Sequence, residues 1–237
     1  MTVRQTIGLD HSWIEQGLLK RKSNYSPVII FETTDPKRLF QLKSYLLSHT
    51  EMAAYDYFFV YDQWQGLGKL TGTPENPGFE LYKKDLGDSA LARRISRYRG
   101  EEAAGLAQLK AALKEVDGYL KKWKTLFILQ NISENREWET GLQSALRSWA
   151  IDAEIMARES TIILQTSNAA ALLDDFTREL AVVITVDPSS EAERKAVIAE
   201  AARELEIPLS DNELSELVLA TAGLNLHQLE STLLESY

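Results

Sequence analysis

Apolar residues along this chain fall into two alternating textures. Five short runs are nearly continuous: Val28–Phe31, Tyr55–Tyr61, Thr125–Leu129, Thr161–Leu164 and Ala181–Val186. They are rich in Val, Ile, Phe and Tyr and fit strands covered on both faces, as in a parallel sheet. Between them apolar residues recur every three or four positions. Leu39, Leu42, Leu46 and Leu47 share a helix face behind Asp35-Pro36, with the cap at Thr34 or Asp35 and proline in the first turn. Leu106, Leu109, Leu113, Val116 and Leu120 form a stripe before the third strand, and Leu142, Leu146, Trp149, Ala153 and Met156 another before the fourth. Strand and helix alternate, so right-handed crossovers are the natural packing. The expected architecture is α/β: a three-layer, parallel five-stranded sheet over residues 1–187.

Two regions depart from that rhythm. "GLGKLTGTPENPG", starting at Gly66, is rich in Gly, Pro and Thr and reads as loop. "LARRISRYRG" follows, with Arg93, Arg94, Arg97 and Arg99 around Tyr98. A connection this long is uncommon in a compact domain and tends to be functional or mobile. After Asp187-Pro188 the strand signal stops. Ser190 with Glu193 and Ser210 with Glu213 have capping-box spacing, so helices are expected near 190–206, 210–221 and 225–236. Residues 188–237 are therefore expected to form a small C-terminal helical lid.

Composition narrows the chemistry. The chain has 237 residues, 44% of them hydrophobic and 26% charged, which allows a sizeable core. It has no cysteine, which excludes disulfides, thiolate metal sites and a cysteine nucleophile and suits a reducing cytoplasm. His11, His49 and His227 are too scattered for a metal site or a Ser-His-Asp arrangement. No signal peptide or membrane span is expected. The net charge of −9 disfavours nucleic acid as a partner.

Several stretches resemble the AAA ATPases. "STIILQTSN", Ser160 to Asn168, resembles the fourth strand ending in the sensor asparagine. "LLDDFTRELAVVITVDPSSEAERKAVI" resembles the passage into the lid, and "DNELSELVLATAGLNLHQLESTL" the later lid helices with their "A-x-G-L" signature. With "YFFVYDQWQGL" and "TLFILQNI" as second and third strands, residues 15–237 resemble a degenerate N-terminal ATPase-like domain. That domain belongs to the AAA proteins of cyanobacteria and plastids known from a conserved plastid reading frame. In those proteins an intact ATPase domain follows, so the resemblance implies either the front half of such a protein or a free-standing relative.

Each nucleotide-handling part can be tested against its chemistry. A phosphate loop needs glycines that turn backbone N–H groups inward, followed by Lys and Ser or Thr. Glu32–Arg38 offers Lys37 and Arg38 but no glycine, and Glu32 and Asp35 repel a triphosphate. "GLGKLTG", Gly66 to Gly72, has Lys69 and Thr71 but the wrong spacing, and it follows the second strand. The third strand should end in acidic residues that hold magnesium; it ends Leu129-Gln130-Asn131, with Glu134 beyond it. Asn168 stands at the sensor position and reads alternatively as a turn former. Arg178, in "DDFTREL", stands where the family places an arginine that reaches a neighbour's nucleotide, and reads alternatively as the partner of Asp174 or Asp175.

The arginines at 93, 94, 97 and 99 would grip a polyanion or, with Glu101 and Glu102 following, form a solvated helix face. Trp149 reads as core, whereas Trp13 and Trp64 mark a contact surface. The expectation is a non-hydrolysing AAA-like domain that serves as a structural or regulatory module of a larger ATPase assembly. Its partners would be proteins or ATPase subunits, including a ring, with no cofactor or metal. Two alternatives stand beside it. One is an ATP- and Mg-binding ATPase with an atypical site using Lys37, Arg38 and Asn168. The other is a clamp-loader-like subunit whose basic arginines contact DNA.

Overall fold

A computed structural model of the chain describes residues 10–49, 54–82, 101–132 and 136–235. Arg93, Arg94, Arg97, Arg99 and Glu134 lie outside the described residues. The strands are β1 (Val28–Glu32), β2 (Tyr57–Asp62), β3 (Gly66–Thr73), β4 (Asn76–Leu81), β5 (Thr125–Gln130), β6 (Thr161–Thr166) and β7 (Val182–Thr185). They form one sheet in the order β4-β3-β2-β5-β6-β1-β7. The five apolar runs are the five parallel members, β2-β5-β6-β1-β7, in consecutive register.

The sheet has seven strands rather than five, because the glycine-rich stretch after Gly66 is a β-hairpin. β3 pairs antiparallel with β2, and β4 with β3, across the Pro74-Glu75 turn. Its glycines mark close approach instead of disorder. A β-carbon on Gly68 would lie 2.2 Å from the Phe79 ring, so that ring can cross the ladder only because Gly68 has none.

Helices cover both faces. On one side, α1 (Ser12–Asn24) and α2 (Pro36–Ser48) pack Trp13, Ile14, Leu42, Tyr45 and Leu46 onto Ile29, Phe31, Val60 and Ile128. Trp13, expected on a contact surface, is instead core: its ring meets Phe31 edge-on at 4.8 Å, where an irregular N-terminal stretch hid a helix. Trp64 is 90% exposed in the β2–β3 turn. On the other side lie α3 (Glu101–Lys122), α4 (Arg136–Ala150) and α5 (Ala153–Ala157). Leu109, Val116, Leu142, Leu146 and Trp149 there meet Ile30, Phe59, Phe127 and Leu164.

Two short helices, α6 (Ala169–Leu172) and α7 (Asp175–Leu180), connect β6 to β7. Then α8 (Glu191–Glu204), α9 (Asp211–Ala220) and α10 (Leu226–Glu235) gather around their own small cluster of Val197, Ile198, Val218, Leu226 and Leu229. Both capping boxes, Ser190/Glu193 and Ser210/Glu213, are formed. No helix among the described residues is long and apolar enough to cross a membrane.

Candidate functional site

The strand order contains one reversal. The crossover from β1 through α2 passes over β6 and β5 to reach β2, while the connection from β6 passes to the opposite side of β1 to reach β7. The two chains diverge at the carboxyl ends of β1 and β6, and such a crevice is where open α/β sheets bind ligands.

In this chain the crevice is closed by its own groups. Only Thr33, Thr34 and Asp35 separate the last residue of β1 from the first of α2. That is too short to wrap backbone amides around a phosphate. The amides that open α2 are also spent. Pro36 has none, the Lys37 N–H donates to Asp35 Oδ1 at 2.9 Å, and the Arg38 N–H donates to the Asp35 carbonyl at 3.1 Å. The second oxygen of Asp35 accepts the N–H of Leu226, the first residue of α10, at 2.8 Å. One buried carboxylate thus sits between two helix N-termini, the position an anionic ligand would favour. Across the crevice Glu32 does the same at smaller scale: its carboxylate accepts the Ala169 N–H at 3.0 Å and the Thr185 hydroxyl at 3.3 Å.

Lys37 and Arg38 turn away from the crevice floor and toward the C-terminal helices. Lys37 forms an ion pair with Glu230 of α10. Arg38 is 3% exposed and makes a two-point pair with Glu193 of α8, at 2.5 and 3.1 Å. It also donates to Gln41 Oε1 at 2.9 Å and to the Asp187 carbonyl at 3.3 Å. Burial by itself would raise the Glu193 carboxyl. The hydrogen bond from Arg38, the Ser190 and Asp10 amides and the guanidinium charge outweigh it and hold Glu193 below its ordinary value. The capping-box glutamate of α8 is therefore also the anchor of Arg38, although 155 residues separate the two. A cavity of about 350 Å³ lies beside this pair, lined by Trp13, Arg38, Asp187 and Glu193 among others.

Asn168 caps α6, its side chain accepting the Ala171 N–H at 2.9 Å. Lys37 and Arg38 are brought together at the start of α2, while Asn168 sits at the end of the neighbouring strand and faces its own helix. Arg178, on α7, pairs with Asp175. Asp174 caps α7 and pairs with Arg147.

The end of β5 is organised by Asp62, which the sequence did not single out. Asp62 ends β2 directly beside Gln130. Its Oδ2 accepts from Gln130 Nε2 at 2.6 Å and Asn131 Nδ2 at 2.7 Å; its Oδ1 accepts from the Trp64 and Gln65 amides. Burial raises this carboxyl, and the four donors reverse the shift and hold it below the usual carboxylate range. Gln130 and Asn131 thus spend their amides on a carboxylate. Among the described residues no group of three His, Cys, Asp or Glu side chains is placed to hold a metal ion. The lysine and threonine of "GLGKLTG" lie on β3, with Lys69 over the Tyr82 ring at 5.7 Å.

The mixed α/β fold, a largely parallel sheet between helices followed by three C-terminal helices, has counterparts among solved structures. Domain III of the replication initiation protein DnaA from Thermotoga maritima matches with a TM-score of 0.50 at 13% identity, over 97% of this chain and 84% of that one. A replication initiator DnaA bound to AMPPCP and single-stranded DNA matches with a TM-score of 0.49 at 12% identity, over 98% of this chain and 62% of that one. A chain of the E. coli MS115-1 HORMA:CdnC:Trip13 complex gives 0.48 at 14% identity, over 95% and 73% respectively. No family model matches the chain, and no curated protein matches it.

Proposed function

We propose that this chain is a non-hydrolysing AAA-like domain that acts as a structural or regulatory module of a larger ATPase assembly. Residues 1–187 would be its α/β body and residues 188–237 a helical lid, joined by Asp35, Lys37 and Arg38 to Leu226, Glu230 and Glu193. The observation that carries this reading is the saturation of the α2 N-terminus: the amides that would meet a phosphate are occupied by Asp35, which also holds the lid through the Leu226 amide. The pairs Arg38–Glu193 and Lys37–Glu230 support the same closure from their side. The position corresponding to the acidic magnesium site is occupied by Gln130 and Asn131. The resemblance to the degenerate N-terminal domain of the cyanobacterial and plastid proteins fits this role, with an ATPase domain or separate ATPase subunits as partners and the cytoplasm as its setting. In such an assembly Arg178 would lie at a subunit contact.

Calorimetry and thermal melts with ATP, ADP and magnesium test the proposal. A site filled to a hundredfold above its dissociation constant adds about 2.7 kcal/mol of stability, a shift of roughly 5–10 °C for a chain of this size. The expected result is no binding heat and no shift at millimolar nucleotide. A shift of that size abolished by Lys37→Ala or Asn168→Ala would replace the proposal with an atypical nucleotide-binding site.

A further inference from the structure

The opposite end of the sheet holds a groove that the crevice does not explain. A cavity of about 570 Å³ opens where α1 ends and β1 and β2 begin, and Arg21, Lys22, Tyr25, Tyr55, Lys124 and Glu159 contribute to its lining. A second, of about 390 Å³, shares Lys124 and Glu159 and continues past Lys122, Trp123 and Arg158. Together they carry five cationic side chains against two carboxylates, Glu159 and Asp56, on a chain whose net charge is −9.

Lysine and arginine favour helix C-termini for local reasons, and Arg21, Lys22 and Lys122 stand in such turns. Three other features mark the groove. Tyr25 is 83% exposed and held at φ 52°, a left-handed conformation that side chains with a β-carbon avoid. Glu159, across the groove, is held at φ 55°. Both residues close helices, where left-handed backbone is a common termination, and both line this groove. Second, Trp123 and Met156 leave apolar surface in water beside the cations, while Leu18 and Pro27 add apolar wall. Third, Arg21 Nη2 donates to the Ser160 carbonyl at 2.9 Å, yet its Nε is buried without a partner. The positive field at this spot already acts on one carboxylate. Glu159 is drawn below its ordinary value, first by its hydrogen bond to Lys124 and further by Arg21 and Lys22.

We propose that this basal groove docks an acidic linear segment of a partner protein. Its carboxylates meet Arg21, Lys22 and Lys124, and an apolar or aromatic side chain seats between Tyr25, Tyr55 and Met156. Charge complementarity selects an anionic partner. The apolar wall selects a peptide, which carries apolar side chains beside its charges, over a nucleic-acid backbone. The site is independent of the nucleotide crevice and stands whether or not that crevice is empty.

The test is selection of a random peptide library of about twelve residues against the whole chain, with parallel selection on a Lys22→Glu/Lys124→Glu variant checked for folding by circular dichroism. Selected peptides are then measured by fluorescence anisotropy. The expected result is an acidic consensus with one apolar or aromatic position, bound about tenfold or more weakly by the variant. Tyr25→Gly should also weaken binding while leaving the melting temperature equal or higher, because glycine accepts the left-handed backbone. A neutral or basic consensus, equal recovery on the charge-reversed variant, or tighter binding of single-stranded oligothymidylate than of any selected peptide overturns the proposal.

Discussion

Replacing Arg38 by methionine removes the head group that joins α2 to α8 while keeping most of the side-chain stem. Glu193 is 1% exposed and would be left as a buried carboxylate with only the Ser190 and Asp10 amides as donors. Breaking one side of a buried pair costs about 3–5 kcal/mol. For a chain of this length that lowers the melting temperature by roughly 10 °C or more. The pair is also the main polar bond between α2 and the C-terminal helices, so the loss should concentrate there. Among the described residues the three helices bury six apolar side chains, Val197, Ile198, Ala202, Val218, Leu226 and Leu229, a small core to keep them docked unaided. Native-state hydrogen exchange should show faster exchange across residues 191–235, led by the Leu226 amide that Asp35 holds. Glu193→Gln, which keeps the capping-box geometry, and the double variant complete a thermodynamic cycle. A coupling energy of at least about 1 kcal/mol between the two positions is expected. A cost below about 1 kcal/mol for Arg38→Met, additive single variants, and unchanged exchange in residues 191–235 would refute the idea that this pair holds the C-terminal helices.

Other perturbations probe separate parts of the same account. Asp35→Ala removes the α2 cap and orphans the Leu226 amide, so urea titration should show a loss of about 2–4 kcal/mol, with Asp35→Asn losing less. Asp62 and Glu193 both have carboxyls held below their ordinary 3.8 and 4.5, so their contribution is present above about pH 5 and disappears as pH falls through the lowered values. Melting temperature measured from pH 7 down to 3 should therefore fall only in the acid arm, and Glu193→Gln should flatten that fall. Gly68→Ala places a β-carbon 2.2 Å from the Phe79 ring and 2.8 Å from the Glu80 carbonyl. Denaturation should show a loss of roughly 1–3 kcal/mol, and chemical shifts should move along β3 and β4.

Periodicity and capping chemistry by themselves determined much of this molecule. The five continuous apolar runs are the five parallel strands, because a strand buried on both faces has no room for polar alternation. Asp35-Pro36 and the two Ser-x-x-Glu boxes mark their helix starts, since a cap acts within four residues of itself. The missing phosphate-loop glycines were equally readable, being a local requirement. The β3–β4 hairpin was not. Glycine and proline signal a turn locally, and only the approach of the Phe79 ring explains Gly68 within a strand. Asp62 was missed because its four donors come from two strand ends that meet only in the sheet. The roles of Lys37, Arg38 and Glu193 belong to the same category. Each reads locally as a cation at a helix start or a capping glutamate, and folding joins Arg38 to Glu193 across 155 residues of chain. Local rules place secondary structure because their interactions span a few residues. The closure of the crevice depends on contacts between elements distant in sequence, and only the folded chain brings those together.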